Sequence, residues 1–358
     1  GITMLTGLEI YRFRGIRELK LNGLAQVNVL MGRNNAGKSS VLEALYLASA
    51  AFRLEDPLGR GEKIEYLLNR RGKRKLSWER GKEALWFGYD NSEDIKLTLR
   101  IGRHKLDIEL RDDHEHPVVG LNLRGTYPLC PICLRGYNKT TGTWIAINSV
   151  ELESKINEVA PGLRDFIRDT VFLDTALLRD IKLIEEALWS RLLMKRLDKL
   201  VVDILRSGYD TDVEDLTYAP LYGTYQLMAK LPETAIRVDD LGDGARYALV
   251  IIMVAALARD TALLIEEPES HQHPGGLAKM LEMLLALAKE NGTQLFMSTH
   301  SVEAARLTNA IAGELGLDVA TFFLERSPDG LVDARRISPE ESELLRAMGL
   351  DPRFLDIL

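Results

Sequence analysis

The chain is short of the features that mark membrane and secreted proteins. No run of residues approaches the roughly 18 consecutive apolar side chains that a helix needs to cross a membrane. The first residues also lack the charged stretch followed by an apolar one that is typical of a secretory signal. We therefore expect a cytoplasmic location and no membrane partner. With 358 residues, the chain is long enough for one large domain or two ordinary ones.

Cysteine is almost absent, since the chain has only two, Cys130 and Cys133, in a single C-x-x-C pattern. One pair supplies half of the ligands of a tetrahedral zinc site, and no second pair exists. A metal site would require two subunits to share one zinc ion, as zinc-hook repair ATPases do. A redox pair is another interpretation. The flanking Gly125, Pro128 and Gly136 favour a structural turn instead.

Positive charge is in deficit overall but concentrated in one place. The formal net charge of −7 argues against a protein that coats nucleic acid through bulk electrostatics. Between Arg60 and Lys82, however, nine Lys or Arg stand against three Glu, so this stretch carries +6 and the remainder −13. Tyr66 and Trp78 are interleaved with the cations. The stretch is either a solvated, mobile surface loop or a surface that contacts DNA phosphates.

Residues 32–40 carry the strongest signal of function. They fit the pattern G-x-x-x-x-G-K-[ST] between an apolar segment, 27–31, that predicts a strand and a segment, 40–50, that predicts a helix. Glycines let successive backbone N–H groups face one concavity, and the helix adds its positive N-terminal end. We predict that this loop binds ATP. The predicted phosphate-binding residues are Gly32, Arg33, Asn34, Asn35, Ala36, Gly37, Lys38, Ser39 and Ser40.

Two side chains of this loop have predicted roles in catalysis and metal binding. Lys38 is expected to reach the β- and γ-phosphates, and the Ser39 hydroxyl to take one position on Mg²⁺. The residues that contact adenine are less evident. Tyr11 or Phe13, in the first predicted strand (residues 8–13), would either stack on the base or belong to the core.

Two adjacent acids follow a second apolar strand, residues 262–265. In a phosphate-loop protein, a carboxylate at the end of a buried strand holds Mg²⁺, and a second beside it polarises the attacking water. We predict that Glu266 binds the metal and that Glu267 is catalytic. A further predicted strand, residues 294–297, leads into the sequence STHS, where His300 would contact the γ-phosphate and take part in catalysis.

A glycine turn of sequence LGDG precedes a helix predicted over residues 245–258. Its amides offer a second anion-binding helix start, although the first loop already serves the nucleotide of its own subunit. Two such sites predict two subunits, each completing the nucleotide site of the other with Gly242, Asp243 and Gly244. Asp243 would either lie near phosphate or cap its helix, which would leave the amides and Arg246 to face the nucleotide.

The hydrophobic pattern predicts an α/β fold. The strands around the phosphate loop lack polar alternation, which implies burial on both faces and a largely parallel core sheet between helices. Short alternating runs at residues 85–89, 96–101 and 105–110 predict an accessory antiparallel β region. Residues 152–169 and 176–207 predict helices, the second being one long amphipathic helix.

The phosphate loop, the LGDG turn, the LLIEEPE strand end and the STHS segment together resemble the ABC-type ATPase heads of the SMC/RecF branch. They are most similar to the ATPase portion of overcoming-lysogenization-defect (OLD) family proteins, over residues 5–50 and 235–305. The resemblance implies a P-loop NTPase with Mg²⁺ and ATP that forms a homodimer on ATP binding. In it, the LGDG turn stands where transport ATPases have LSGGQ, with Gly242 in place of the usual serine and Asp243 in place of a glycine.

We expect a single ATPase head over residues 4–358. OLD nucleases continue into a TOPRIM nuclease domain, whereas a short segment follows His300 here, so the resemblance implies a head without that domain. The expected parts are 4–50 with the phosphate loop, 51–150 as the accessory β region, 151–231 as a helical insertion, 232–340 with the second half of the nucleotide site, and 341–358 as a C-terminal helix.

The leading functional hypothesis is a slow ATPase that acts as a nucleotide-dependent switch in DNA repair or defence. Its partner would be DNA, contacted between Arg60 and Lys82, or a separately encoded nuclease or toxin. An ATPase subunit of a membrane transporter is an alternative, but it predicts a coupling glutamine in mid-chain, and Gln226 lies too close to the LGDG turn. A stand-alone nuclease needs a second acidic cluster, for which Asp329 and Asp333 are insufficient.

Overall fold

The computed structural model contains sixteen strands and nine α-helices within the part of the chain that it describes. None of these helices is both long enough and apolar enough to cross a membrane. The described residues are 3–72, 75–113, 116–124, 133–138, 143–146, 158, 161–209, 212–338, 340 and 349. The strands are β1 (Leu5–Phe13), β2 (Ile16–Asn22), β3 (Val27–Gly32), β4 (Ile95–Ile101), β5 (His104–Asp113), β6 (His116–Arg124), β7 (Cys133–Asn138), β8 (Thr143–Ala146), β9 (Val171–Leu173), β10 (Asp215–Leu221), β11 (Thr224–Lys230), β12 (Ala235–Arg237), β13 (Ala262–Glu266), β14 (Gln294–Ser298), β15 (Val319–Arg326) and β16 (Leu331–Arg336). The helices are α1 (Lys38–Ala50), α2 (Lys63–Asn69), α3 (Trp78–Gly81), α4 (Leu163–Arg168), α5 (Ile181–Met194), α6 (Asp198–Gly208), α7 (Asp243–Leu257), α8 (Pro274–Asn291) and α9 (Val302–Leu315).

Thirteen strands form one sheet in the order β8-β7-β6-β5-β4-β1-β2-β16-β15-β3-β14-β13-β9. From β15 to β9 all neighbouring strands are parallel, which confirms the predicted parallel core around the phosphate loop. From β8 to β2 all neighbours are antiparallel, so the accessory strands extend the core sheet. The strands β10, β11 and β12 form a small separate antiparallel sheet.

The large sheet carries a hydrophobic core on each face. Along β3, Val27, Val29 and Met31 face one core and Leu30 faces the other, as the two-residue period of a strand requires. Helix α1 packs on the Leu30 side, and α7 and α8 pack on the opposite side. Burial on both faces is the reason why the centres of β13 and β14 are apolar without polar alternation. The one polar side chain inside β3, Asn28, is buried and donates to the backbone oxygens of Ala25 and Leu295.

The strand predicted at residues 85–89 is wrong. Two 3₁₀ turns occupy this segment, Lys82–Leu85 and Phe87–Tyr89, and Gly88 has a φ of 64°. Trp86 is 1% exposed and makes one isolated bridge to Phe13. The apolar alternation therefore reflects core packing by a folded turn, which a pattern of period two does not distinguish from a strand.

The single long helix predicted over residues 176–207 is also wrong. It begins as a 3₁₀ turn at Thr175–Asp180 and is then divided into α5 and α6. Arg196, between the two helices, has a φ of 58°, a conformation that a helix cannot accommodate. Both halves bury one apolar face against the α7 side of the sheet, so the helical spacing continues across the break.

Several elements fall outside the predicted pattern. The segment expected to be a helical insertion also contributes β9 to the core sheet and β10 and β11 to the small sheet. The segment expected to be an accessory β region begins with α2 and α3. Of the helix predicted over residues 152–169, the described part is α4, and the predicted C-terminal helix, 341–358, lies outside the described residues apart from Gly349.

Lys63, at the start of α2, is a fully buried cation. Its ammonium group donates hydrogen bonds to the backbone oxygens of Arg168 at 3.0 Å and Ser49 at 3.4 Å. Burial lowers the pKa of Lys63 from 10.5 to about 7. Between about pH 7 and pH 10.5, Lys63 keeps its proton in the unfolded chain and has released it in the folded chain. The free energy of unfolding therefore rises with pH in this range.

We expect this group to give the wild-type protein a pH-dependent gain in stability that Lys63→Met lacks. Between pH 7 and pH 9, the free energy of unfolding of the wild type should rise relative to the variant by roughly 2 to 3 kcal/mol. Urea unfolding of both proteins at each pH measures the difference. Parallel pH profiles would show that Lys63 titrates at its ordinary pKa in the fold.

Candidate functional site

The phosphate loop joins the end of β3 to the start of α1, and its backbone conformations require glycine. Gly32 and Gly37 have φ values of 147° and 108°, and Asn35 also lies at positive φ, 67°. A Cβ added at Gly32 would lie 2.7 Å from the backbone oxygen of Leu324 on β15. The loop can therefore bend against the neighbouring strand only with glycine at this position.

Lys38 lies at the centre of the loop. Its ammonium group donates hydrogen bonds to the backbone oxygens of Gly32 and, at 3.2 Å, of Arg33. Burial lowers the pKa of Lys38, and the nearby carboxylates of Glu267 and Glu269 oppose that shift. The side chain is thus a largely buried cation held over the loop, with acids on its other side.

The loop forms the floor of a cavity of about 680 Å³. Four cationic side chains and one carboxylate line it, a charge balance that suits a polyphosphate. Arg71 and Arg326 belong to this set. Sequence reasoning placed Arg71 in a DNA-contacting stretch, and it had no signal for Arg326, which donates to the backbone oxygen of Gly15 at 2.6 Å. The lining residues are Gly15, Arg33, Asn34, Asn35, Gly37, Lys38, Ser39, Ser40, Arg71, Glu267 and Arg326.

Glu267, which lines the cavity, contacts His300, and the motifs did not predict this contact. Nδ1 of His300 lies 3.1 Å from Oε1 of Glu267. The positive φ of Glu267, 46°, turns the chain directly after β13, and its N–H donates to the backbone oxygen of Ser298 at 2.9 Å. Because β13 and β14 are parallel neighbours, the residues that follow them come together at one edge of the sheet.

Glu266 is placed differently from its neighbour. Its carboxylate contacts the guanidinium of Arg70 and does not line the cavity. The Tyr247 hydroxyl donates to the backbone oxygen of Glu266 at 2.5 Å. Burial raises the pKa of the Glu266 carboxyl, while Arg70 acts in the opposite direction.

The oxygen donors at the cavity suit a magnesium ion that arrives with a nucleotide. The Ser39 hydroxyl and the Glu267 carboxylate line the cavity. Within the described ranges, no group of three or more His, Cys, Asp or Glu is arranged to enclose a metal by itself. Mg²⁺ typically takes one or two protein oxygens and completes its shell with phosphate and water, so these residues fit it.

The LGDG turn does not line this cavity. Gly242, with a φ of 92°, occupies the N-cap of α7, and no side chain caps the helix. The interpretation of Asp243 as a cap is therefore wrong. Arg246 pairs with Asp239 at 3.1 Å, so its charge is engaged within its own chain. A Cβ added at Gly244 would overlap the backbone oxygen of His271, which explains the second glycine of the motif.

The basic stretch between Arg60 and Lys82 is mostly not a solvated loop. Arg60, Lys63 and Arg70 are buried or nearly so, and their charges are bound by acids or backbone oxygens inside the molecule. Lys82 pairs with Asp112 at 2.8 Å. Because Arg60, Arg70 and Lys82 pair with acids and Lys63 is fully buried, these four side chains do not contact DNA. Arg71, Lys75 and Arg80 are exposed, so DNA contact through them stays a prediction. Lys73 and Arg74 lie outside the described residues.

Two smaller expectations concern aromatic residues and cysteines. Phe13 is fully buried in the core and does not line the cavity, so its proposed stacking on adenine is wrong. The hydroxyl of Tyr11, which also lies outside the cavity, donates to Glu9 at 3.0 Å. Cys133 begins β7, and Cys130 lies outside the described residues.

Comparison with known protein families gives a match over the part of the chain that follows the phosphate loop and holds Glu267 and His300. Residues 148–305 match the family described as AAA ATPase domain, and residues 3–53 match a family described as a protein of unknown function, DUF2813. The first match includes the LGDG turn, Glu266, Glu267 and His300. It covers less than half of the chain.

Curated relatives match shorter parts of the chain. An uncharacterized protein of Methanocaldococcus jannaschii is 26% identical over 113 residues, 32% of this chain and 99% of the relative. A second uncharacterized protein of that organism is 39% identical over 100 residues, 27% of this chain and 41% of the relative. An ATP/GTP phosphatase of Helicobacter pylori is 26% identical over 109 residues, 30% of this chain and 28% of the relative. The chain thus spans less than half of the length of the latter two.

Solved structures of low sequence identity also align with the chain. The SMC head domain from Thermotoga maritima has a TM-score of 0.46 and 10% identity, covering 93% of this chain and 99% of that one. An SMC head bound to the C-winged helix domain of ScpA has a TM-score of 0.47 and 11% identity, covering 93% and 98%. The predicted α/β fold with a largely parallel core sheet around the phosphate loop is confirmed by the strand pairing, and the family match agrees with a P-loop NTPase, whereas the OLD assignment stays a prediction. Over residues 148–305 the chain is similar to AAA ATPase domains.

Proposed function

We propose that this protein binds ATP and Mg²⁺ in the phosphate-loop cavity and hydrolyses ATP slowly. The observation that carries the proposal is the convergence of Arg33, Lys38, Arg71 and Arg326 with the loop amides on one cavity. This arrangement is suited to neutralising a triphosphate, because phosphoryl transfer is catalysed mainly by positioning and by charge stabilisation. The match to AAA ATPase domains supports the same activity.

The roles of the individual side chains follow from their positions. Lys38 neutralises the β- and γ-phosphates, and the Ser39 hydroxyl takes part in holding Mg²⁺, which supplies further charge neutralisation when bound. Glu267 orients the attacking water and accepts its proton. His300, whose Nδ1 lies 3.1 Å from Glu267, holds that carboxylate in place, and in the closed site it would contact the γ-phosphate.

We further propose that the site is completed by a second copy of the chain. The residues that line the cavity do not include Gly242, Asp243 or Gly244. Gly242 and Asp243 are exposed at the start of the 15-residue helix α7, whose N-terminal amides favour an anion. In a face-to-face homodimer, this turn would close on the γ-phosphate held by the partner copy.

ATP would then act as a switch. It can drive closure only through a higher affinity for the closed dimer than for the open one, and contacts to the γ-phosphate from the LGDG turn provide that difference. We propose that the change is passed to a separately encoded effector, such as a nuclease or toxin, in a repair or defence role. Internal pairing of Arg60, Arg70 and Lys82 gives no support to DNA binding by that stretch.

The dependence of ATP hydrolysis on protein concentration tests this proposal. If two copies complete each site, the rate per chain should rise several-fold across a dilution series and then level off as dimers saturate. Lys38→Ala is the matched control and should show no hydrolysis at any concentration. A rate per chain that is constant across the series would contradict the shared site, and no hydrolysis by the wild type would contradict the ATPase itself.

A further inference from the structure

Arg70 joins three carboxylates that come from three distant parts of the chain. It follows directly after α2, and its guanidinium contacts Glu43 on α1 at 3.2 Å, Asp174 after β9 at 2.8 Å, and Glu266 at the end of β13. The Arg70 side chain is 5% exposed. Burial alone would lower its pKa, but the three acids raise the pKa above the ordinary value, so Arg70 is a permanent buried cation.

These four residues belong to a larger arginine–carboxylate cluster with equal numbers of cations and acids. Within it, Glu43 also pairs with Arg14 at 2.8 Å and with Arg71. Asp174 has Arg60 at 3.7 Å as a second cation. The members of the cluster are Arg14, Arg60, Arg70, Arg71, Glu43, Asp56, Asp174 and Glu266.

Glu266 differs from the other acids that Arg70 contacts. Arg70 is its only cationic contact among the described residues, whereas Glu43 and Asp174 each have another. A buried carboxylate without a cation is costly, so Glu266 depends on Arg70 or on a replacement for it. Arg70 depends much less on Glu266, because it keeps two acids when that contact is lost. Of the three contacts that Arg70 makes, the one with Glu266 is therefore the one in which another cation can replace Arg70.

The neighbouring residue connects this contact to the phosphate cavity. Arg71 lines the cavity, is 43% exposed and approaches the Ser40 hydroxyl at 3.3 Å. Of the two successive residues that follow α2, Arg71 thus lines the phosphate cavity and Arg70 contacts Glu266. The N–H of Arg70 donates to the backbone oxygen of Tyr66 at 2.9 Å, so a single turn of backbone joins both contacts to α2.

We propose that Arg70 is a positioning residue that holds Glu266 away from the phosphate cavity until a metal-bound nucleotide replaces it as the counter-charge. Loss of this contact would leave Arg70 held by two acids in place of three and would loosen the end of α2 in part, so α2 reports the metal state of the nucleotide. The inference rests on the proposed nucleotide site and names how that site is regulated. It requires no residue from a second copy of the chain.

The first test measures how much Mg²⁺ is needed to tighten binding of fluorescent mant-ADP. Because Arg70→Gln removes the cation that competes for Glu266, the Mg²⁺ midpoint should fall about ten-fold relative to wild type. In a Glu266→Gln background, Arg70→Gln should cause no shift. Arg14→Gln is the matched control, since Arg14 is a buried member of the same cluster that does not contact Glu266. An unchanged or raised midpoint in Arg70→Gln, or the same shift without Glu266, would overturn the proposal.

A second measurement uses the wild-type protein and does not depend on the folding of an Arg70 variant. Hydrogen exchange of the α2 amides is compared with saturating ADP in EDTA and with saturating ADP and Mg²⁺. We expect several-fold faster exchange only with Mg²⁺, and no such difference in Glu266→Gln. Equal exchange while mant-ADP is bound in both conditions overturns this inference alone. Absence of nucleotide binding overturns the proposed function, and this inference with it.

Discussion

Lys38→Ala should reduce the affinity for ATP by about 100-fold or more, which corresponds to about 3 kcal/mol. Lys38 is 7% exposed and holds its charge between the loop and the cavity, so its contact with phosphate is a charge-assisted one made by a largely buried cation. The other three cations that line the cavity, Arg33, Arg71 and Arg326, are exposed. Titration with mant-ATP in the presence of Mg²⁺ measures the loss directly.

Two controls separate the loss of charge from damage to the loop. Lys279→Ala removes a half-exposed lysine that pairs with Glu282 on α8, and it should leave ATP affinity unchanged. Lys38→Met keeps most of the side-chain volume and should lose as much affinity as Lys38→Ala. If both Lys38 variants bind ATP almost normally and have melting temperatures like that of the wild type, this cavity is not the nucleotide site.

Glu267→Gln should slow hydrolysis by about 100-fold or more while leaving ATP bound. The amide keeps the size and polarity of the side chain but does not accept a proton from water. If two copies associate only around intact ATP and separate after hydrolysis, the variant should accumulate as a dimer with Mg·ATP. Size-exclusion chromatography with light scattering distinguishes this dimer from the wild-type mixture of species.

The dimer must depend on nucleotide for the shared-site mechanism to hold. Adding Lys38→Ala to Glu267→Gln should return the protein to the monomer, because no triphosphate is left between the copies. Glu282→Gln, at an exposed position, should behave as the wild type in both assays. A Glu267→Gln protein that stays monomeric with saturating Mg·ATP would show that one chain encloses the nucleotide alone.

The parts of the site that were predicted from the sequence are those in which neighbours along the chain act together. The loop at 32–40 needs its glycines first for a local reason, the positive φ angles of consecutive residues before α1, and the close approach of Leu324 to Gly32 adds a tertiary one. Glu267 and His300 were each predicted to be site residues, but the contact between them was not predicted. Each follows a buried apolar strand, and parallel strands bring the residues after them to one edge of the sheet.

Helix breaks and local turns were less predictable because several conformations share one hydrophobic pattern. The break at Arg196 leaves the buried face of α5 and α6 intact, so the spacing of apolar residues contains no sign of it. Trp86 packs in the core from a turn as well as it would from a strand. In both cases the backbone conformation is set by tertiary packing, which overrides the local preference.

The sequence by itself determined the phosphate loop, the adjacent acids Glu266 and Glu267, the histidine after β14 and the α/β order, because each depends on residues within a few positions of one another. Only the tertiary structure decided which cationic side chains are buried against acids and which line the cavity. Arg70 meets Glu266 across 196 positions, so part of a basic run that predicts a surface lies in the interior, and Arg326 meets Gly15 across 311 positions at the cavity. Whether a cation faces water or a buried acid depends on what the fold places opposite it, and no local pattern records that.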